Sequence, residues 1–330
     1  MKLVYNMKRI AAALVVGVLA TSPAAAKTLR MAGNFPADHS SSLAMDRFAE
    51  ALSEATNGDL EIANFPAMQL GGAQENVDQV KSGVIFGTWI GAAYLSGNVP
   101  EVEAVSLPFV YPDRETAFRV IDGDVGDDLN DRLADEGFLP LGWMELGSRN
   151  VTNSVRPIGT VEDLKGLKIR LQPNETHIST FRALGANPVS MGIAEVYSAL
   201  QQGVLDGQEN PYSVIKSRNF NEVQKYVSDT NHFFDFIALV VNRDQFDALS
   251  EEQQQIVREA AADAVAWQRE TARAEDEAAR EALIAAGMEF TEITDEARAQ
   301  MQEASVPVIE ELRQRVDPAL IDRVLEDAAK

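Results

Sequence analysis

Gly166-Leu167-Lys168-Ile169-Arg170 is followed by Gly185-Ala186-Asn187-Pro188, Glu195-Val196-Tyr197 and Asp206-Gly207-Gln208-Glu209-Asn210-Pro211. Leu167 to Leu171 is a short apolar run bounded by glycine and proline, and it reads as a buried strand. Arg170 then stands at a strand terminus. There a guanidinium can offer two parallel N–H groups to one carboxylate, which a lysine ammonium cannot do. Downstream, Ile193, Val196, Tyr197 and Leu200 fall on one face of a helix, and Asn210-Pro211 reads as a turn.

Working outward, strand and helix patterns alternate. Thr28 to Ala32, Leu60 to Phe65 and Val84 to Trp89 read as strands, with helices over Ser42 to Thr56 and Gly72 to Ser82. Two helical stretches, Arg114 to Ile121 and Val125 to Asp135, lead into a strand over Phe138 to Glu145 that carries the chain toward a second lobe. Phe233 to Asn242 suits a strand returning to the first. The alternation implies an α/β fold, with a largely parallel sheet covered by helices on both faces. From Ser250 to Ala286 the helical pattern has no Gly or Pro, and one helix of that length would span about 55 Å. Two helices broken near Arg273 to Glu277 are the alternative. At 330 residues, two lobes are expected rather than one core.

The amino terminus has the form of an export signal. Lys2, Lys8 and Arg9 precede an apolar run from Ile10 to Ala20, and Ala24-Ala25-Ala26 supplies small residues for cleavage after Ala26. Translation from Met7 would leave an equally good signal. The run is shorter than the roughly 20 apolar residues of a spanning helix. Cysteine is absent, which excludes disulfides, thiolate metal sites and a lipid anchor at the cleavage point. Loss of the leader removes three of 29 basic residues and none of the 51 acidic ones, taking the formal net charge from −22 to −25. That acidity argues against nucleic acid or an anionic membrane surface as partner. It would also repel an anionic ligand at long range, but the Debye length at physiological salt is about 8 Å. Arginines in a partly dry cleft can therefore outweigh distant carboxylates.

Taken together, the Arg170 to Asn210 segment, Phe65-Pro66-Ala67-Met68-Gln69-Leu70-Gly71 and Gly147-Ser148-Arg149-Asn150-Val151-Thr152-Asn153 resemble the solute-binding proteins of tripartite ATP-independent periplasmic (TRAP) transporters, in the DctP-type branch related to C4-dicarboxylate receptors. The resemblance runs from about Thr28 to about Val257. It implies a two-lobed periplasmic binding protein, type II-like, with a ligand cleft between the lobes and one long interlobe helix. The expected division is residues 27–149 plus about 237–276 in lobe I, and 150–236 plus about 277–330 in lobe II. In this reading Arg170 and Arg149 hold one carboxylate from two directions, unless each pairs with an internal Asp or Glu, and Asn210 faces the ligand.

Further candidates come from position. Asn34 and His39 lie in the loop after the first strand, where α/β sheets place ligand contacts, although such a loop also caps helices. Gln74 opens the next helix. Trp89, Tyr94 and Phe234 can supply an apolar wall, and Met191 either touches ligand or fills core volume. Trp267 reads as interlobe packing. His177 and His232 read as a helix-surface and a strand-end residue.

Enzyme signatures are missing. The chain has no HExxH, G-x-S-x-G, P-loop or G-x-G-x-x-G, and Asp122 to Asp128 lacks the ligand pattern of an EF-hand. No cofactor and no metal is expected. The resemblance implies a periplasmic receptor for a small carboxylate, above all a sugar acid or other hydroxylated monocarboxylate, with a dicarboxylate, keto acid or aromatic acid also open. Its implied partners are the small and large TRAP membrane permease subunits. The receptor of an ATP-driven importer, a secreted hydrolase or lyase acting on a carboxylated substrate, and a ligand-sensing subunit are the alternatives.

Overall fold

In the computed structural model residues 26–330 are described, so the expected leader falls outside the described residues apart from Ala26. The chain runs β1 (Lys27–Gly33), α1 (Ser40–Ala55), β2 (Leu60–Phe65), α2 (Ala73–Lys81), β3 (Gly87–Gly91), α3 (Arg114–Ile121), α4 (Asp124–Asp135) and β4 (Phe138–Asn153). It continues through α5 (Val161–Leu164), β5 (Lys168–Leu171), α6 (Glu175–Ala183), β6 (Asn187–Ser190), α7 (Ile193–Gln201), β7 (Gly207–Asn210), α8 (Tyr212–Ser217) and β8 (Tyr226–Asn242). Last come α9 (Arg243–Asp247), α10 (Glu251–Ala285), β9 (Glu289–Thr291), α11 (Asp295–Arg313) and α12 (Pro318–Ala328).

The strands form one sheet ordered β2-β1-β3-β8-β4-β7-β5-β6, with β9 paired to β8. Each end is parallel, β1 with β2 and β3, and β5 with β6 and β7. The centre is antiparallel, because β4 and β8 run the length of both halves against each other. The sheet is therefore mixed rather than largely parallel. β4 extends to Asn153, beyond the expected stop at Glu145, and its register against β8 shifts at Pro140/Gly142, Glu145/Gly147 and Arg149/Val151. Such bulges bend a strand pair and raise its twist. Gly147 occupies one of them at φ +109°, where an L side chain would be strained.

Apolar side chains gather into clusters on either side of the sheet in each half. Phe48, Trp89, Met144 and Leu239 pack together on one face of the first half, and Val77, Ile90, Phe138 and Phe236 on the other. In the second half Val196, Leu200 and Ile215 form one cluster, and Ile169, Phe181 and Phe233 another. Helix α10 is continuous for 35 residues and begins with a capping box in which the Ser250 and Gln253 side chains reciprocally accept backbone N–H groups. It adds Val257, Ala261 and Ala264 to a cluster of the first half and Ala279 and Leu283 to one of the second. The helix thus spans both halves in one piece.

The C-terminal segment departs from the expected division. Leu312, Val316, Leu320, Ile321 and Val324 pack with Phe138 and Val240 in the first half, although 277–330 was assigned wholly to lobe II. Helix α11 joins the two halves, since Met301 packs with Phe181 and Phe233 in the second while Ile309 and Leu312 at its far end pack with the first. The amphipathic pattern of α12 required one buried face without naming the surface that covers it.

Candidate functional site

Four strands end at one place. Asn34 follows β1, Tyr94 lies in the 3-10 turn Ala92–Leu95 after β3, Arg170 and Gln172 sit in and just after β5, and Asn210 closes β7. Arg218, the C-cap of α8, joins them to line a cavity. Carboxyl ends of strands are where open α/β sheets bind ligands, because the loops there leave a crevice.

Arg170 is 1 % exposed. Its Nε donates to the Met191 carbonyl at 2.8 Å and its Nη2 to the Tyr94 hydroxyl at 3.4 Å. Arg218 is half-buried, and its Nη2 donates to the Asn34 carbonyl. Among the described residues, neither guanidinium has an Asp or Glu oxygen within 4.0 Å. Burial pushes the pKa of both side chains down, since desolvation penalises a charge that no carboxylate touches; for Arg170 the more distant Glu209 opposes this only in part. The Asn34 side-chain oxygen is also buried without a partner. Two cations and unmet polar groups around one cavity suit an oxyanion bearing hydroxyls.

The cavity is tight, with about 20 Å³ in which a water-sized sphere can be centred, roughly one water. A multi-carbon acid fits only if the walls separate. Next to it, sharing Ser217, lies a polar groove of about 500 Å³ bordered by Asp38, His39, Lys216 and Glu275.

Behind the cavity, Arg149 is fully buried and already paired. It grips Glu209 with Nε–Oε2 at 2.5 Å and Nη2–Oε1 at 2.7 Å, reaches Asp235 Oδ2 at 3.1 Å, and donates to Asn210 Oδ1 at 3.1 Å. Of the two readings the sequence leaves open for Arg149, this is the pairing with internal carboxylates. Arg149 holds Asn210, whose Nδ2 also donates to Gln208 Oε1 at 2.5 Å and has one more N–H to offer. His232 Nε2 lies 3.1 Å from Glu209. Burial alone would push the Glu209 carboxyl up, but Arg149 and His232 together hold it well below the usual range. Burial raises Asp235, with Arg149 opposing. His177 is pushed down to about 3 by burial, and His232 is lowered for the same reason. Both histidines are interior: His177, expected on a helix surface, is buried, and His232, expected at a strand end, lies within β8.

Residues 31–315 match the family described as bacterial extracellular solute-binding protein, family 7, or DctP. The chain belongs to this family. It is similar to the 2,3-diketo-L-gulonate-binding periplasmic protein YiaO of Escherichia coli K12, with 36% identity over 88% of this chain and 89% of that one. In structure it is similar to the sugar acid binding protein DctPAm of Advenella mimigardefordensis in complex with galactonate, at TM-score 0.90 and 30% identity, covering 92% of this chain and 98% of that one. It is also similar to a TRAP periplasmic solute-binding protein of Sulfitobacter sp. NAS-14.1 with bound β-D-galacturonate, at TM-score 0.88 and 31% identity, covering 92% of this chain and 100% of that one. The TRAP solute-binding resemblance and the two-lobed α/β architecture are thus shown, and these relatives are binding proteins. Among the described residues, no helix is long and apolar enough to cross a membrane.

Other expected contacts of this solute-binding protein lie elsewhere. Trp89 is wholly buried in the first half, with Nε1 donating to Ser42 Oγ at 3.3 Å, because its side chain faces α1 rather than the cavity. Its ring presses on Gly33, where an added Cβ would come within 2.2 Å of the indole. Trp89→Ala is expected to lower stability by about 3–5 kcal/mol through the void it leaves, measured by denaturant unfolding. Phe234 packs edge-on against Tyr111, Phe118 and Phe236 and borders a separate crevice with Arg298. Met191 contributes its carbonyl, while its side chain packs in the Val196 cluster. Gln74 is exposed on α2, bonded to Asp78 at 3.5 Å. His39 borders the groove, caps α1 through Nδ1 and stacks on Phe35 at 4.7 Å. Arg218 and Gln172 had not been singled out. The signal for Arg218 was a second arginine one short helix beyond Asn210.

Proposed function

We propose that this TRAP solute-binding protein captures a hydroxylated monocarboxylate of the sugar-acid class in the cavity between Arg170 and Arg218. The observation that carries the reading is a buried Arg170 whose guanidinium meets only neutral oxygens. Asn210 and Asn34 supply neutral polar groups for the same ligand. Charge argues for one carboxylate rather than two. Arg149, Arg170 and Arg218 set three positive charges against Glu209 and Asp235, so a single anionic group balances the cluster. The ligands printed for relatives agree in class, being galactonate and β-D-galacturonate in the solved structures and 2,3-diketo-L-gulonate for the Escherichia coli protein.

Capture is a closure. The lobes, residues 27–149 with about 237–276 and 150–236 with about 277–311, part at the β4–β8 crossing and close on the acid, with α12 carried by the first lobe. The ligand leaves unchanged, delivered to the small and large permease subunits in the membrane. The protein reaches the periplasm by export, with its leader removed after Ala26.

A thermal-shift screen tests this reading against galactonate, galacturonate, glucuronate, 2,3-diketogulonate and C4-dicarboxylates. A ligand present at 100 times its Kd stabilises by about 2.7 kcal/mol. Sugar monoacids are expected to raise the melting temperature. A response confined to dicarboxylates would overturn the ligand class, and loss of the bound acid by turnover would overturn the receptor reading.

A further inference from the structure

We propose that Glu275 and Asp276, adjacent on α10, are positioning residues for ligand capture, fixing the first turns of α1 and α8 so that the Asn34 loop and Arg218 meet across the cavity. The inference rests on the reading that the acid binds between Arg170 and Arg218. Its ground is a pair of hydrogen bonds made by neighbouring carboxylates to two different helices. Ser40 N, at the start of α1, donates to Glu275 Oε1 and Oε2 at 3.1 and 3.2 Å. Ser213 N, in the first turn of α8, donates to Asp276 Oδ1 at 2.9 Å.

Both helices are joined directly to cavity residues. Asn34 to Pro36 lead into α1, Asn210 and Pro211 lead into α8, and Val214, Ser217 and Arg218 line the cavity from α8 or its end. The Arg218 bond to the Asn34 carbonyl closes the triangle between α1, α8 and α10. Gln268, two turns earlier on the same helix, bonds Ser40 Oγ at 3.2 Å and both backbone groups of Glu145 at 2.8 Å, so the α1 contact is braced from β4 as well.

A carboxylate at a helix N-terminus satisfies an N–H that the helix cannot and favours the local dipole. Glu277, the next residue and exposed, faces Arg273 at 3.6 Å instead. Glu275 and Asp276 have no cation within 4.0 Å among the described residues. The titratable groups around them are Glu145 from β4, itself held by Arg114, Asp38 and His39 at the start of α1, the imidazole pushed down by burial, and Lys216 and Arg218 from α8. Burial, with Glu145 and Glu275 adding to it, pushes Asp276 up to about 6. A carboxyl kept in such surroundings without a counter-ion acts here through the backbone it holds.

The test uses the mature protein with D-galacturonate and D-galactonate as probes, and Arg170→Ala as the control for the site itself. Glu275→Ala and Asp276→Ala are each expected to weaken binding about tenfold through faster release, since interface changes act mostly on dissociation. Glu275→Gln and Asp276→Asn keep an acceptor oxygen and should restore affinity to within about threefold. Glu277→Ala should bind as wild type. Alanine variants that are folded, melt lower and yet bind within twofold of wild type would reduce the two residues to scaffold and overturn the proposal, while Arg170→Ala still reports the site. Wild type that binds neither acid overturns the underlying reading and this proposal with it. If the alanine variants do not fold, amide exchange on wild type decides. Ser40 and Ser213 N–H exchange should slow at least tenfold with ligand, and unchanged exchange overturns the proposal.

Discussion

Arg170→Met abolishes tight binding of the sugar acid while leaving the protein at least as stable as wild type. Both halves of this expected result have one cause. The guanidinium is 1 % exposed, is bonded only to the Met191 carbonyl and Tyr94 hydroxyl, and is pushed below its ordinary pKa by burial. For a base, a lowered pKa in the folded state means that folding disfavours the charge. Methionine keeps much of the volume and removes that penalty, so the melting temperature should hold or rise. The bound acid loses its fixed partner. Truncating one member of a buried, hydrogen-bonded charge pair costs 2–5 kcal/mol or more, a loss of about 30-fold to several thousandfold in Kd. Arg170→Lys should fail nearly as badly, because an ammonium cannot give the forked pair of N–H groups. Calorimetry showing that the lysine variant binds like wild type would remove Arg170 from the site.

Arg170 was legible in the sequence because its signal is local. A short apolar strand flanked by Gly166 and Pro173 sets its place at a strand end, and the register to Asn210 names the family. Helix α10 was legible for a similar reason, since nothing from Ser250 to Ala286 interrupts it. Arg149 was not. Its partners lie 60 and 86 residues away, on β7 and β8, and only the antiparallel pairing of β4 with both strands brings them together. A sequence shows an arginine in a family motif and cannot show which carboxylates it meets. Trp89 and Phe234 lie away from this cavity for a different physical reason. Strand residues alternate faces, and which face meets the cavity depends on neighbouring strands whose register was unknown. Arg218 escaped because it acts from a helix end after the motif, where an isolated arginine reads as surface.

The second large effect is expected at Arg149. Arg149→Ala should lower stability by about 3–5 kcal/mol, the penalty for leaving buried carboxylates without their cation. For a chain of this size that corresponds to a fall in melting temperature on the order of 10 °C. Glu209 and Asp235 are 0 % and 1 % exposed, so water cannot replace the guanidinium. Ligand affinity should fall too, but through Asn210, which loses the donor holding its side-chain oxygen. Acid dependence separates the two carboxylates. Glu209 is held below the usual range in the folded protein, so its contribution is full above its unfolded pKa of about 4.3 and is lost as pH falls below that value. Asp235 is raised, so its ionised form opposes folding, and that opposition fades as pH falls through its folded pKa. Glu209→Gln should therefore flatten the loss of stability below about pH 4, whereas Asp235→Asn should not. Melting curves from pH 3 to pH 7 on the three variants read this directly. An Arg149→Ala protein that melts within 2 °C of wild type would mean that the buried carboxylates are accommodated without the arginine, and the account of how Asn210 is held would have to be abandoned.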